Sequence, residues 1–314
     1  MGNGGGLMAR QSFSMERATM DKPKKTPTIS QAMVDAYDEY THLTLDRRSF
    51  MDKLAKLAGS GAAAAIIAPM LAANSAQAAV VASDDPRLLT KDVIHSGPAG
   101  DMKGYSVRPT DTTAKLPVVV VIHENRGLNR HIRDIARRMA LEGFTVFAPD
   151  FLSSAGGTPS DEDKARDLIA NLDPEKTIAE GVETIAYLKS VKYANGKVGV
   201  MGFCWGGGLV NDLAVNSPDL DAGVAYYGRQ PKTEDVAKIK APLLLHYAGL
   251  DTRINAGIDG YRKALEDNGK TFDIEVYDGV NHAFNNDTST ARYSKEAADL
   301  AWSRTVAFFK KYLS

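Results

Sequence analysis

The chain of 314 residues contains a single cysteine, Cys204, so it can form neither an internal disulfide nor a cysteine-based metal cluster. It also lacks an excess of either charge: 38 Lys and Arg stand against 39 Asp and Glu, a formal net charge of −1. That balance removes the electrostatic argument for nucleic acid or an anionic membrane as a partner. No long unbroken apolar run is present. The most apolar stretch, Leu54 to Ala73, is interrupted by Gly59, Ser60, Gly61 and Pro69, which argues against a stable membrane span. Gly206-Gly207-Gly208 lacks the lysine of a phosphate-binding loop, and no Asp/His group has metal-ligand spacing, so neither a cofactor nor a metal is implied. What remains, 44% hydrophobic and 25% charged residues, is the composition of a globular protein with enough chain for a sizeable core.

The first residues carry an address. After a polar stretch, Arg47-Arg48 is followed by Phe50 and Met51, an Ala-rich apolar run, and Ala76-Gln77-Ala78. A positive segment, a moderate apolar segment and an A-x-A site, in that order, make up a removable export signal, and the arginine pair specifies the twin-arginine route. Asp46 and Asp52 depart from it, standing where a serine or threonine and a lysine are common. The expectation is that residues 1–78 are a signal region, removed or disordered, with the export machinery as partner. A folded domain at 79–314 would then be periplasmic or secreted.

From Leu116 onward, strand-like and helix-like blocks alternate. PVVVVIH (117–123) is a continuous β-branched run of the kind found in strands buried on both faces. FTVFAPD (144–150), KVGVMGF (197–203), AGVAYYG (222–228), PLLLHYAG (242–249) and FDIEVYDG (272–279) read as further strands. Helical spacing recurs at Ile132, Ile135, Ala136 and Met139, over 161–172 and 174–190, after Cys204, and at Trp302, Val306, Phe309 and Leu313. Such alternation predicts a single α/β domain whose mostly parallel sheet has helices on both faces and its site at the carboxyl ends of the strands. Residues 81–109 are expected to add an edge strand or hairpin around Gly104 to Arg108.

Gly202-Phe203-Cys204-Trp205-Gly206 is Gly-x-Cys-x-Gly, a nucleophile motif with sulfur where serine is usual. Between a strand and a helix, the two glycines permit a sharp turn that lifts Cys204 above the sheet, near a helix amino terminus that favours a thiolate. The other reading is a small buried cysteine. Two later strand ends weigh against it: Asp251 follows LLLHYAGL, and His282 follows VYDGVN. Nucleophile, acid, histidine is the chain order of α/β-hydrolase triads, with His282 as general base and Asp251 fixing its tautomer. His123 and His246, inside or at the end of apolar strands, read as packing.

These motifs resemble the dienelactone hydrolase family, the cysteine-dependent branch of the α/β-hydrolases. HENRG, GFCWGG, AGLD and NHAF occur in the family's order, and the likeness spans residues 90 to 314. It implies an α/β-hydrolase fold and hydrolysis of a carboxylic ester or lactone through a thioacyl enzyme. It also implies that Glu124 contacts the thiol at rest and takes up its proton, and that the Asn125 and Trp205 amides form the oxyanion hole. One departure bears on substrate: the family's carboxylate-binding arginine, four residues after the histidine, is Asn286 here. Arg166 is a candidate for the family's second arginine. Arg126 and Arg253 adjoin the site in sequence and are either anion contacts or structural charges, and Tyr227 either touches substrate or packs.

The expected partner is therefore a small ester or lactone. The rivals are a non-catalytic binding protein on the same fold, acyl transfer or thioester hydrolysis by the same triad, and a redox thiol, for which the chain supplies no resolving cysteine. In an oxidising space, burial and pairing with Glu124 as a neutral thiol would protect Cys204.

Overall fold

Along one buried strand, valines alternate between two cores. In β3 (Leu116–Ile122), Val119 and Val121 join one apolar cluster while Val118, Val120 and Ile122 join another. A strand with both faces buried needs a helical layer on each side, and the computed structural model has that arrangement. It describes residues 1–2, 28–42, 45–72, 79–97 and 100–314.

The sheet has eight strands in the order β1-β2-β4-β3-β5-β6-β7-β8. β1 (Leu88–Gly97) and β2 (Gly100–Pro109) form the antiparallel edge hairpin, and β2 pairs antiparallel with β4 (Thr145–Pro149). From β4 onward every pairing is parallel, through β3, β5 (Ala194–Phe203), β6 (Ala222–Tyr226), β7 (Leu243–Ala248) and β8 (Phe272–Tyr277). The expected edge hairpin and the expected strands are all present.

One face is covered by α4 (Arg130–Leu141) and α10 (Lys295–Leu313), which bury Ile132, Ile135, Met139, Val306 and Phe309. The other is covered by α6 (Pro174–Ser190), α7 (Trp205–Asn216) and α9 (Ile258–Asp267). α5 (Glu162–Ala170) and the short α8 (Thr252–Asn255) border the carboxyl ends of the strands.

The amino-terminal region is helical where it is described. Where the sequence predicts a removed or disordered segment, the described part holds three helices, α1 (Gln31–Thr41), α2 (Arg47–Ala58) and α3 (Gly61–Leu71). The A-x-A site at Ala76 to Ala78 lies outside the described residues. Local chemistry accounts for the helices. Asp46, a departure from the export pattern, caps α2 by accepting from the Ser49 amide at 2.7 Å; Ser60 caps α3 in the same way. Gly59, with φ of 81°, makes the left-handed turn between them. The arm has its own small core, in which Phe50 stacks on Tyr40 with ring centroids 4.8 Å apart and Leu54, Ile67 and Leu71 are buried. Among the described residues no single helix is long and apolar enough to cross a membrane, although α2 and α3, bent by 111°, pass that test as a pair.

The arm is seated over the carboxyl ends of the strands. Tyr40 Oη donates to Asp163 at 2.9 Å, Arg126 donates to Tyr37 Oη at 2.9 Å, and Asn125 Nδ2 donates to the Thr41 carbonyl at 2.7 Å.

Candidate active site

Cys204 connects β5 to α7 with φ of 55° and ψ of −113°, a backbone conformation that side-chain-bearing residues rarely adopt. Two glycines make the turn possible. A Cβ on Gly202 would lie 2.3 Å from the Gly206 carbonyl oxygen, and one on Gly206 would lie 2.5 Å from that of His123. The Cys204 amide donates to the Tyr226 carbonyl at 3.0 Å, which ties the elbow to the next strand. Trp205 is the first residue of α7, so its amide has no intrahelical acceptor. Its ring stacks on His123 at 5.2 Å and meets Phe151 edge-on.

Asp251 follows β7 and caps α8 by accepting from the Ile254 amide at 3.1 Å. Its other oxygen meets His282 Nδ1 at 2.5 Å, with both side chains buried. His282 Nε2 is buried and without a hydrogen-bond partner. Burial alone would push the His282 imidazole down, but the Cys204 sulfur and the Asp38 and Asp251 carboxylates outweigh it and raise it well above its usual range. Burial likewise favours the neutral Cys204 thiol, yet His282 and His42 outweigh it and bring the thiol to about 6. Asp251 is held below the usual carboxylate range, because His282 overcomes the effect of burial.

The sequence reading missed His42. It follows α1, and its Nε2 lies 3.4 Å from Cys204 Sγ, while its ring meets that of His282 edge to face at 4.7 Å. Its Nδ1 lies 2.8 Å from the Asp38 carbonyl oxygen and 3.4 Å from the Asp38 carboxylate. Burial would lower His42, but the Cys204 sulfur and Asp38 raise it to about 8.

Glu124 is placed differently from what the resemblance implies. Its Oε2 accepts from Asn286 Nδ2 at 2.7 Å, its buried Oε1 has no partner, and the thiol faces His42 instead. Glu124 does border the same small cavity as Cys204, His42 and His282. Pairing with Glu124 as a neutral thiol is thus not the resting arrangement: the amide of Asn286 holds the carboxylate, and two imidazoles surround the sulfur.

The main cavity over the thiol has a volume of about 360 Å³, at the small end of ligand pockets. Ile169, Leu172, Ile178, Leu209 and Ile254 give it apolar walls, and Arg166, Arg229 and Arg253 supply cations. Arg229 pairs with Asp212, and Arg166 pairs with Asp163 and Asp167 while its guanidinium covers the Tyr40 ring at 4.3 Å. Arg253 is the least committed, with Asp38 3.9 Å away and 42% of its side chain exposed. Arg126 does not line this cavity. It is buried and engaged by Glu162 at 2.7 Å and by Tyr37, so it fastens the arm to α5. Tyr227 does line it, fully buried with φ of 40°, its hydroxyl unpartnered and its ring 4.9 Å from that of His282.

His123 and His246 pack as expected. The Phe151 amide donates to His123 Nε2 at 3.3 Å; His246 contacts Thr305 and Tyr277, and burial lowers it to about 3.

An eight-stranded, mostly parallel sheet with a strained cysteine elbow, and with an acid and a histidine at later strand ends, defines an α/β hydrolase. Residues 102–313 match the dienelactone hydrolase family, and the chain belongs to it. A protein of Escherichia coli O157:H7 whose name assigns it to the carboxymethylenebutenolidases is 32% identical over 256 residues, covering 77% of this chain and 94% of its own. Protein usf of Aquifex pyrophilus is 38% identical over 225 residues, covering 68% of this chain and 97% of its own. A crystal structure from Klebsiella pneumoniae, titled as a dienelactone hydrolase, superposes with a TM-score of 0.66 at 28% identity, covering 72% of this chain and 99% of that one.

His42, Cys204 and His282 place their donor atoms within 4.8 Å of one another, a spacing that either a shared proton or a soft cation can fill. A metal would occupy the imidazole nitrogens that must carry protons and would blunt the nucleophilicity of the sulfur, so a nucleophile elbow fits proton sharing better.

Proposed function

We propose that the protein hydrolyses a carboxylic ester or lactone through a thioacyl intermediate on Cys204. The observation that carries this reading is the 2.5 Å contact between Asp251 and His282 Nδ1, which leaves His282 Nε2 bare, buried and beside the nucleophile. Asp251 fixes the tautomer, so the basic nitrogen is the one on the sulfur side. The thiolate attacks the acyl carbon, and the amides of Trp205 and Asn125 receive the oxyanion. The alcohol leaves with a proton from imidazolium. Water, deprotonated by His282, then releases the acid and returns the thiolate.

The substrate we favour is small, with an apolar body and an anionic group. Arg253 is the cation best placed to meet that group, and Asn286 is occupied with Glu124. The test is turnover of a panel of aryl esters, enol lactones and thioesters by wild type and Cys204→Ala. Turnover that is lost in the variant supports the reading. Turnover that survives in Cys204→Ala rejects it, and preference for a thioester would move the substrate class.

We further propose export by the twin-arginine route. Arg47 and Arg48 are exposed on the first turn of α2 while Phe50 is buried beneath them, so the pair is presented on a folded protein. Cell fractionation with amino-terminal sequencing tests this. A periplasmic form beginning at Ala79 supports it, and a cytoplasmic chain intact at Met1 contradicts it.

A further inference from the structure

We propose that Asp38 and His42 form a second acid–base dyad of the reaction centre, carried into it by the amino-terminal arm. The inference deepens the thiol-hydrolase reading and rests on it.

The geometry parallels the first dyad. The Asp251 carboxylate holds the Nδ1 proton of His282. The Asp38 carbonyl, 2.8 Å from His42 Nδ1, does the same for His42. With Nδ1 donating, the basic nitrogen of each ring is Nε2, and both Nε2 atoms adjoin the one thiol. His42 is also anchored: its neighbour Thr41 accepts from Asn125, the residue that follows Glu124 at the end of β3. The charged groups around it are Asp38 on its own helix, Cys204 and His282 across the cavity, Glu124 on the cavity wall, and Arg253 and Arg292 facing Asp38.

In the form that reacts, one proton from the thiol is shared by the two imidazoles, so that one ring serves as acid and the other as base. Sγ bonds to the acyl carbon, and the carbonyl pair moves to oxygen. When that pair returns, the carbon–oxygen bond to the leaving group breaks and the leaving oxygen takes the proton from His42 Nε2. Water then attacks the thioacyl carbon, giving one proton to His282, and the carbon–sulfur bond breaks to restore the thiolate. Transfer from His282 to His42, whose rings touch at 4.7 Å, completes the cycle. His42 is the better donor of the two because a carbonyl and a more distant carboxylate stabilise its proton less than the direct Asp251 contact stabilises that of His282. An export cut after Ala78 would take this dyad away with the signal, so intact and processed chains would differ in their chemistry.

The experiment uses the full chain and measures the rate of Cys204 alkylation by iodoacetamide against pH, a readout independent of any substrate. Wild type is compared with His42→Gln, whose amide can keep a hydrogen bond to sulfur but cannot ionise. Tyr40→Phe removes a single hydroxyl contact of the arm, to Asp163, and leaves His42 seated beside the thiol. The expected result is an alkylation midpoint about one unit higher in His42→Gln, hence about 10-fold slower reaction below it, and no change in Tyr40→Phe. In turnover, His42→Gln should lose more on an alkyl ester than on a nitrophenyl ester, which needs no proton to leave, and imidazole should rescue His42→Ala. If His42→Gln fails to fold, Asp38→Asn should move the midpoint in the same direction. An unmoved midpoint in a folded variant overturns the proposal, whether or not the wild type hydrolyses esters. A moved midpoint supports it even where the ester panel fails, which would instead count against the hydrolase reading.

Discussion

Asn286 Nδ2 donates to Glu124 Oε2 across 2.7 Å, at the position where the family resemblance leads one to expect a substrate-binding arginine. Asn286 Oδ1 in turn accepts from the Thr288 amide and hydroxyl, so the side chain is held at both ends. Residue 286 therefore organises a buried carboxylate and does not reach for substrate. Asn286→Ala should leave that carboxylate without a partner and cost about 1–3 kcal/mol of stability, the range for stranding a buried polar group. Urea unfolding of the two proteins with equal slopes would measure it. Stability within about 0.5 kcal/mol of wild type, the range of an inconsequential surface change, would show that the bond does not stabilise the fold.

The two arginines beside the site in sequence should separate in kinetics. Arg253 lines the cavity with a half-exposed guanidinium, whereas Arg126 is enclosed by Glu162 and Tyr37. Arg253→Ala should raise KM for a carboxylate-bearing ester about 10-fold or more, as expected for losing a charged hydrogen bond, and leave a neutral ester nearly unaffected. Arg126→Ala should treat both esters alike and lower the thermal midpoint, because it unfastens the arm. Equal effects of Arg253→Ala on the two esters would remove Arg253 from substrate recognition.

That contrast shows what the sequence could and could not reveal. Gly202 to Gly206, Asp251 and His282 were legible because each sits at a strand end whose apolar run announces it, and the order along the chain does the rest. Asp38 and His42 were not, since His42 meets Cys204 across 162 positions and falls in a stretch whose arginine pair and apolar run read as an address. The fold from β3 onward was legible from alternating periodicity. The helices of the arm were masked by the same composition that suggests export, although Asp46, an oddity in that pattern, was already a helix cap. Arg126 misled because adjacency along a chain does not fix a partner: it borders the small cavity that Glu124 and Asn125 share with Cys204, but its guanidinium is taken by Glu162 of α5 and by Tyr37.

The charges around the sulfur predict the pH dependence. Burial opposes the Cys204 thiolate, but the two histidines bring the thiol to about 6, so acidification through that value protonates the nucleophile and removes activity. His42 sits at about 8, so raising the pH through that value removes its proton and with it the acid. kcat/KM should therefore be bell-shaped, with limbs near 6 and 8 that belong to the coupled centre and not to single residues. In His42→Gln the acid limb should move up and the alkaline limb should no longer fall near 8. A profile still rising at pH 9, where an ordinary thiol ionises, would contradict the preformed ion pair.

The account stands most directly on the covalent intermediate. Full-length protein mixed with a nitrophenyl ester and quenched in acid within the first turnover should show, by intact mass and peptide mapping, one acyl group on the peptide containing Cys204. The adduct should be absent from Cys204→Ala and should persist in His282→Gln, where water is no longer activated. Turnover with no acyl adduct on Cys204, or an adduct on any other residue, would contradict the thiol mechanism.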